Sequence, residues 1–227
     1  MLAGYLCDRE GLDLDAVESG EISWVNDATL AAGEKLLELS QYFQSTAAGD
    51  TNEVATAAFY NSEAAILIQG SWDIAALNGN NPDFADDYGI FQFPEIEGAN
   101  DPNRVIAKSS SFSMYADTEY PEACVALLKY FTDDITQAYI AEYGGSIPVT
   151  NVEYDESVAP SQLADVMEIF SNATGTLGFY NESLVSTEAG SVFDDTMVSL
   201  YLGDYTVEEA FQEIEDWYEA NVRELAQ

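Results

Sequence analysis

The stretch FYNSEAAILIQGSWDIAAL, Phe59 to Leu77, decides how the rest of the chain is read. Within it, Ala64-Ala65-Ile66-Leu67-Ile68 is a short continuous apolar run, the pattern of a strand buried on both faces. Gln69-Gly70 ends the run, and Ser71-Trp72-Asp73 opens a short helix toward Leu77. A buried strand followed by a helix is an α/β element, and such sheets bind ligands beyond the carboxyl ends of their strands. Trp72 stands at that end. An aromatic face there can stack on the CH-rich face of a sugar ring and exclude water from it. A tryptophan packed in the core is the other reading, and the local residues leave both open.

Working outward, the apolar spacing predicts helices on both sides. Leu30, Leu36, Leu37, Leu39, Tyr42 and Phe43 recur at helical intervals from Asn26 to Gln44, with Asn26-Asp27 as an N-cap. A second helix is expected from Thr51 to Tyr60. Downstream, Asn78 to Asp83 is a loop, and Tyr88 to Phe93 alternates like a strand and stops at Pro94. Val105 to Tyr115 reads as a strand pair or one long bent strand holding Ser109-Ser110-Ser111. Tyr120 to Phe131 is a helix with Pro121 in its first turn. Ile135 to Tyr143 is another, closed by Gly144-Gly145. Ser161 to Ser171 is helical, and Thr174 to Glu182 is a loop. Ser186 to Leu202 is a long amphipathic helix ending at Gly203. Thr206-Val207-Glu208-Glu209 is a capping box that starts a last helix through Phe211, Ile214, Trp217 and Val222. The pattern is helix-rich α/β.

Composition excludes several classes. The 227 residues include 47% hydrophobic and 12% aromatic residues, enough for a buried core. Forty-two acids face six bases (Arg9, Lys35, Arg104, Lys108, Lys129, Arg223), a net charge of −36. No basic footprint exists for nucleic acid, and an anionic membrane surface would repel the chain. With no histidine there is no Ser-His-Asp triad, Cys-His pair or imidazole zinc site. Cys7 and Cys124 are far apart in sequence. They allow a disulfide or two free buried thiols, and the apolar helical setting of Cys124 favours the thiols. No run reaches the roughly 18 apolar residues of a membrane span. No signal peptide pattern follows Met1, so the chain reads as cytosolic or as a piece of a longer exported protein.

The remaining candidates each have a plain structural reading. Phe179-Tyr180 is a second aromatic wall or a loop aromatic tucked against the fold. Gly144-Gly145-Ser146-Ile147-Pro148 is a cap and turn, or a loop whose backbone approaches a ligand. Asp8 to Asp15 lacks the spacing of a calcium loop and reads as a solvated acidic turn. Asp194 and Asp195, on a helix, point about 100° apart and do not converge. No catalytic, metal or cofactor residues emerge.

Four motifs in order carry a family resemblance. Phe59 to Leu77, PEACVALLKYFT (Pro121 to Thr132), GGSIP (Gly144 to Pro148) and VSLYLGDYTVEEAF (Val198 to Phe211) resemble the extracellular solute-binding proteins of carbohydrate ABC importers. This is the group that includes maltose-binding protein. The resemblance spans Trp24 to Leu225 but matches only the C-terminal half of the family's chain. It implies a C-terminal lobe of the periplasmic-binding-protein type II-like kind, helix-rich with a short mixed sheet. It also implies three segments: 1–114 as the first part of the lobe core, 115–155 as a part that packs on the N-terminal lobe, and 156–227 as the closing helices.

By position, the resemblance makes Trp72 the sugar-stacking tryptophan, with Gly70 and Ser71 shaping its turn. Ser109 and Ser110 fall near the cleft floor, and Ser146 on the hinge-side loop. Where the family often has an aromatic early in the helix from Ser186, this chain has Glu188, Ala189 and Gly190. Glu188 is then a hydrogen-bonding partner for sugar hydroxyls, and Tyr180 a substitute aromatic face. The implied activity is binding, not catalysis, of a sugar or oligosaccharide delivered to ABC transporter membrane subunits. The implied location is extracellular, with the parent protein held as a lipoprotein. The exposed apolar face of 120–131 is expected to drive self-association. Two rivals stand beside this reading: a carboxylate-dependent glycoside hydrolase, and an acidic helical module docking on a basic partner.

Overall fold

The structure is a computed structural model that describes residues 1–94, 96, 101, 103–108, 110–178 and 180–223. In chain order its helices are α1 (Leu2–Arg9), α2 (Leu14–Ser19), α3 (Asp27–Ser40), α4 (Asn52–Tyr60) and α5 (Ile74–Asn80). They continue with α6 (Pro121–Phe131), α7 (Asp134–Gly144), α8 (Ser161–Ser171), α9 (Tyr180–Ser183), α10 (Thr187–Leu202) and α11 (Val207–Tyr218). Strands β1 (Arg104–Ile106) and β2 (Gly175–Leu177) pair in parallel, Val105 opposite Thr176. A parallel pair needs a long crossover, and here it runs through most of a second folded unit.

The chain forms two compact units, Met1–Asp50 with Pro94–Lys108 and Ala173–Gln227, and Thr51–Phe93 with Ser109–Asn172. The first is organised by α3, α10 and α11 around Trp24, whose ring lies 6.1 Å from Phe193 and 5.3 Å from Tyr218. Leu36, Leu200, Phe211 and Ile214 complete that core. Gly33 lets α3 meet α11 closely, since a Cβ there would lie 2.5 Å from Val207. Asn26 caps α3 through its side chain, and Thr206 with Glu209 forms a reciprocal capping box on α11. Both features are local hydrogen bonding and match their sequence signals.

In the stretch Asp8 to Asp15 the acids Asp13 and Asp15 are exposed, as a solvated turn has them, but Asp8 and Arg9 are not. Asp8 is 5% and Arg9 1% exposed. The Arg9 guanidinium donates to the Tyr5 hydroxyl and to the Asp101 and Arg104 carbonyls, and Arg104 pairs with Asp8. Partners more than ninety residues away make this burial tolerable, because a buried charge is kept only when paired and hydrogen-bonded. Cys7 and Cys124 are both free, and burial pushes the Cys7 thiol up to about 12.

The second unit packs α5 against α4 and α7, with Ile74, Leu77, Ala141 and Leu163 buried. Phe59, Phe84 and Tyr88 form an aromatic cluster with centroids 5.2 to 5.8 Å apart. Two buried glutamines tie loops to it. Gln137 donates to the Phe131 carbonyl and accepts from the Val149 amide, while Gln162 donates to the Ala85 and Tyr88 carbonyls.

Several sequence expectations change here. Ala64 to Ile68 is irregular chain with a bend at Ala65, not a strand, and Ile66 is 66% exposed. A strand buried on both faces needs neighbours on both sides, and none lies beside it among the described residues. Tyr88 to Phe93 is irregular chain and not a strand, and of the strand pair or long bent strand expected from Val105 to Tyr115 the described residues keep β1 alone. Conversely, the expected loop Thr174 to Glu182 holds β2 and the start of α9. The segment 115–155 does not stand apart from 51–93. Both belong to one unit, with Gly145 against Ile74 joining them, so the expected boundaries after 114 and 155 fall inside units.

Candidate functional site

The site is built on the turn that follows Gln69. Gly70 is extended (φ −104°, ψ 171°), so its conformation does not require glycine; its space does. The Trp72 ring folds back over Gly70, and any Cβ there would overlap the indole. Ser71–Asp73 is a 3-10 turn, closed by the Asp73 amide donating to the Gly70 carbonyl at 3.2 Å. Trp72 remains 49% exposed at the turn's surface, so it is not sealed in a core. Asp73 points the other way. It is buried and accepts the Thr56 hydroxyl at 2.8 Å.

Ser146 comes near this turn through its neighbour. Gly145 has φ +60°, the left-handed cap of α7, and a Cβ there would lie 2.6 Å from Ile74 Cγ2. The GSW and GGSIP motifs are therefore joined at Ile74, within one unit. Ser146 itself is half-buried, its hydroxyl turned to the Gly144 carbonyl at 3.4 Å. Ser110 is exposed in the same unit, and Ser109 lies outside the described residues, as does Phe179.

Two candidates belong to the other unit. Glu188 is exposed in the first turn of α10. Tyr180 is 4% exposed and packs on Phe193 and Gly4, and burial raises its phenol well above the ordinary range. In this position it offers no open face, which corrects its reading as a substitute aromatic platform. Sequence reasoning missed Thr56 and Asp73. Their signal was weak: a threonine among the alanines of α4 and an acid directly after Trp72. Among the described residues no group of His, Cys, Asp and Glu could hold a metal ion.

The fold is that of sugar-binding-protein structures already solved. The chain superposes on the chitin oligosaccharide binding protein with a TM-score of 0.81 at 21% identity, covering 99% of this chain and 57% of that one. A structure from work on xylan utilization by the thermophilic bacterium Caldanaerobius polysaccharolyticus gives 0.80 at 23% identity, covering 95% and 57%. Maltose-bound MalE3 of T. maritima gives 0.74 at 19% identity, covering 96% and 56%. The chain thus spans a little over half the length of these structures. No curated protein matches the sequence. The chain belongs to the bacterial extracellular solute-binding proteins, whose family model matches residues 1–168.

Proposed function

We propose that this chain supplies one side of the sugar site of an ABC importer's solute-binding protein, with Trp72 as the stacking platform. The observation that carries the reading is the half-exposed Trp72 ring laid on Gly70 and held by a closed turn. An indole fixed in that way presents its face at little entropic cost, and it removes water from the CH face of a pyranose. Ser71, Ser109, Ser110 and Ser146, in the unit that holds Trp72, are the proposed polar contacts to sugar hydroxyls, and Glu188 of the other unit is proposed as a contact in its own right. The similarity to proteins described for chitin oligosaccharide, xylan and maltose supports a sugar over other solutes.

In the whole protein, two lobes close over the ligand by hinge motion, and ligand selects the closed form that membrane subunits recognise. The reading includes an extracellular location, with the parent protein lipid-anchored. Among the described residues, no helix is long and apolar enough to cross a membrane. It assigns no bond-breaking step. A glycosidase needs two carboxylates facing a cleft, and the carboxylate next to Trp72, Asp73, is turned inward onto Thr56. The expected self-association through 120–131 also belongs here, since none of the described residues of α6 is buried.

The test is a thermal-shift and calorimetric screen of the full-length protein with xylo-, chito- and malto-oligosaccharides. One of these sugars, at about a hundred times its Kd, is expected to stabilise the protein by about 2.7 kcal/mol. No stabilisation by any sugar, alongside stabilisation by an amino acid or peptide, would replace the sugar reading.

A further inference from the structure

We propose that Thr56 and Gly145 are positioning residues for Trp72, an inference that rests on the reading of Trp72 as the ligand platform. Both act on the two residues that follow Trp72.

Asp73 is the first of these. Its amide closes the turn on Gly70, the residue the ring covers, and its carboxylate is buried on the Thr56 hydroxyl of α4. Pulling Asp73 outward would break both hydrogen bonds. Removing the hydroxyl would leave a buried carboxylate without that donor, which is costly. Ile74 is the second. It is fully buried, and Gly145 lies so close that a side chain there would collide with Ile74 Cγ2. The left-handed φ of +60° at Gly145 adds a second reason for glycine, because side chains strain that conformation. The backbone just past Trp72 is therefore held from α4 on one side and from the α7 cap on the other. With Gly70 under the ring, these contacts limit how far the turn that carries the indole can move. Such preorganisation lowers the ordering cost that a ligand would otherwise meet.

The test uses protein labelled with 5-fluorotryptophan. Trp24, Trp72 and Trp217 each give one fluorine resonance, and Trp72→Phe assigns the middle residue's signal. Thr56→Val keeps the side chain's shape and removes its donor. It is expected to move and broaden the Trp72 resonance while the buried Trp24 signal stays in place. Thr56→Ser, which keeps the hydroxyl, is expected to restore the wild-type position. Gly145→Ala is expected to move Trp72 as well, through Ile74. An unmoved Trp72 signal in both Thr56→Val and Gly145→Ala, with Trp24 unchanged, overturns the proposal. Should Thr56→Val lose the Trp24 signal through unfolding, an unmoved Trp72 in Gly145→Ala overturns it alone. Titrating the full-length protein, labelled in the same way and with its Trp72 signal assigned by Trp72→Phe, with xylo-, chito- and malto-oligosaccharides separates the two readings. No sugar-induced shift, together with a Trp72 signal displaced by Thr56→Val, removes the sugar platform and leaves the positioning intact.

Discussion

Trp72 and Asp73 are adjacent in sequence and opposite in environment, one surfaced and one buried, and the 3-10 turn is what separates them. Trp72→Ala in the full-length protein is expected to weaken sugar binding by about 1–3 kcal/mol, the loss typical of an aromatic anchor, with unfolding unchanged. Calorimetry against denaturation curves reads both, and intact affinity in a folded variant would contradict the platform role. Asp8 makes a different prediction. Burial raises its carboxyl above the ordinary 3.8, with Arg104 and Arg9 pulling the other way. A carboxyl raised in the native state holds its proton more tightly there than when unfolded. Its favourable contribution is therefore present below the ordinary value and lost as pH rises through the native one. Asp8→Asn removes the ionisation and leaves an oxygen facing Arg104. The stability difference is expected to move in favour of Asp8→Asn as pH rises from about 4 to 7. Urea unfolding of both proteins at each pH measures it, and a gap that moves the other way would refute the burial argument.

Among elements, α11 and α6 are the contrasting pair. Helix α11 carries the Thr206 to Glu209 capping box and buries Val207, Ala210, Phe211, Ile214 and Tyr218. Helix α6 has Leu127 at 54% exposure and no described residue in a core. Thr206→Ala is expected to cost about 0.5–2 kcal/mol through the lost cap. Phe211→Ala should cost about 3–5 kcal/mol as a core truncation. Leu127→Ser, by comparison, should stay within about 0.5 kcal/mol, as exposed substitutions do. Denaturation midpoints rank the three. A Leu127→Ser cost as large as that of Phe211→Ala would mean that another surface covers α6 in solution, and sedimentation would then show the self-association proposed above.

For the whole molecule the dominant feature is the net charge of −36. Among the described residues, Lys35 pairs with Glu10, Arg104 with Asp8, Lys108 with Glu182, and Arg223 with Glu215 and Glu219. The remaining acids repel one another with little to offset them, and that repulsion opposes the compact state. Sodium chloride screens it, so the melting temperature is expected to rise from low to moderate salt. A steady fall over the same range would show that the ion pairs of Asp8 and Arg223 outweigh the repulsion.

The longer helices, α3, α6, α7, α8, α10 and α11, were legible without the structure because their causes are short in sequence, whereas α1, α2 and α9 were not. Asn26, Thr206 and Gly203 act on amides or carbonyls a few residues away, and the apolar spacing of α10 and α11 repeats within each helix. The turn at Gly70-Ser71-Trp72 was legible for the same reason. What the tertiary structure alone decided depends on distant partners. Ala64 to Ile68 has the composition of a buried strand, yet a strand exists only where another pairs with it, and β1 instead finds β2 some seventy residues on. Arg9 and Asp8 look solvated from their own neighbours, and inside the fold their partners come from far along the chain, the Asp101 and Arg104 carbonyls for Arg9 and the Arg104 guanidinium for Asp8. Trp72 stays at the surface, and Tyr180 is enclosed, because Thr56, Gly145, Gly4 and Phe193 come from other helices and turns. Local hydrogen bonds and periodicity are written in adjacent residues; burial is a property of which remote residues meet.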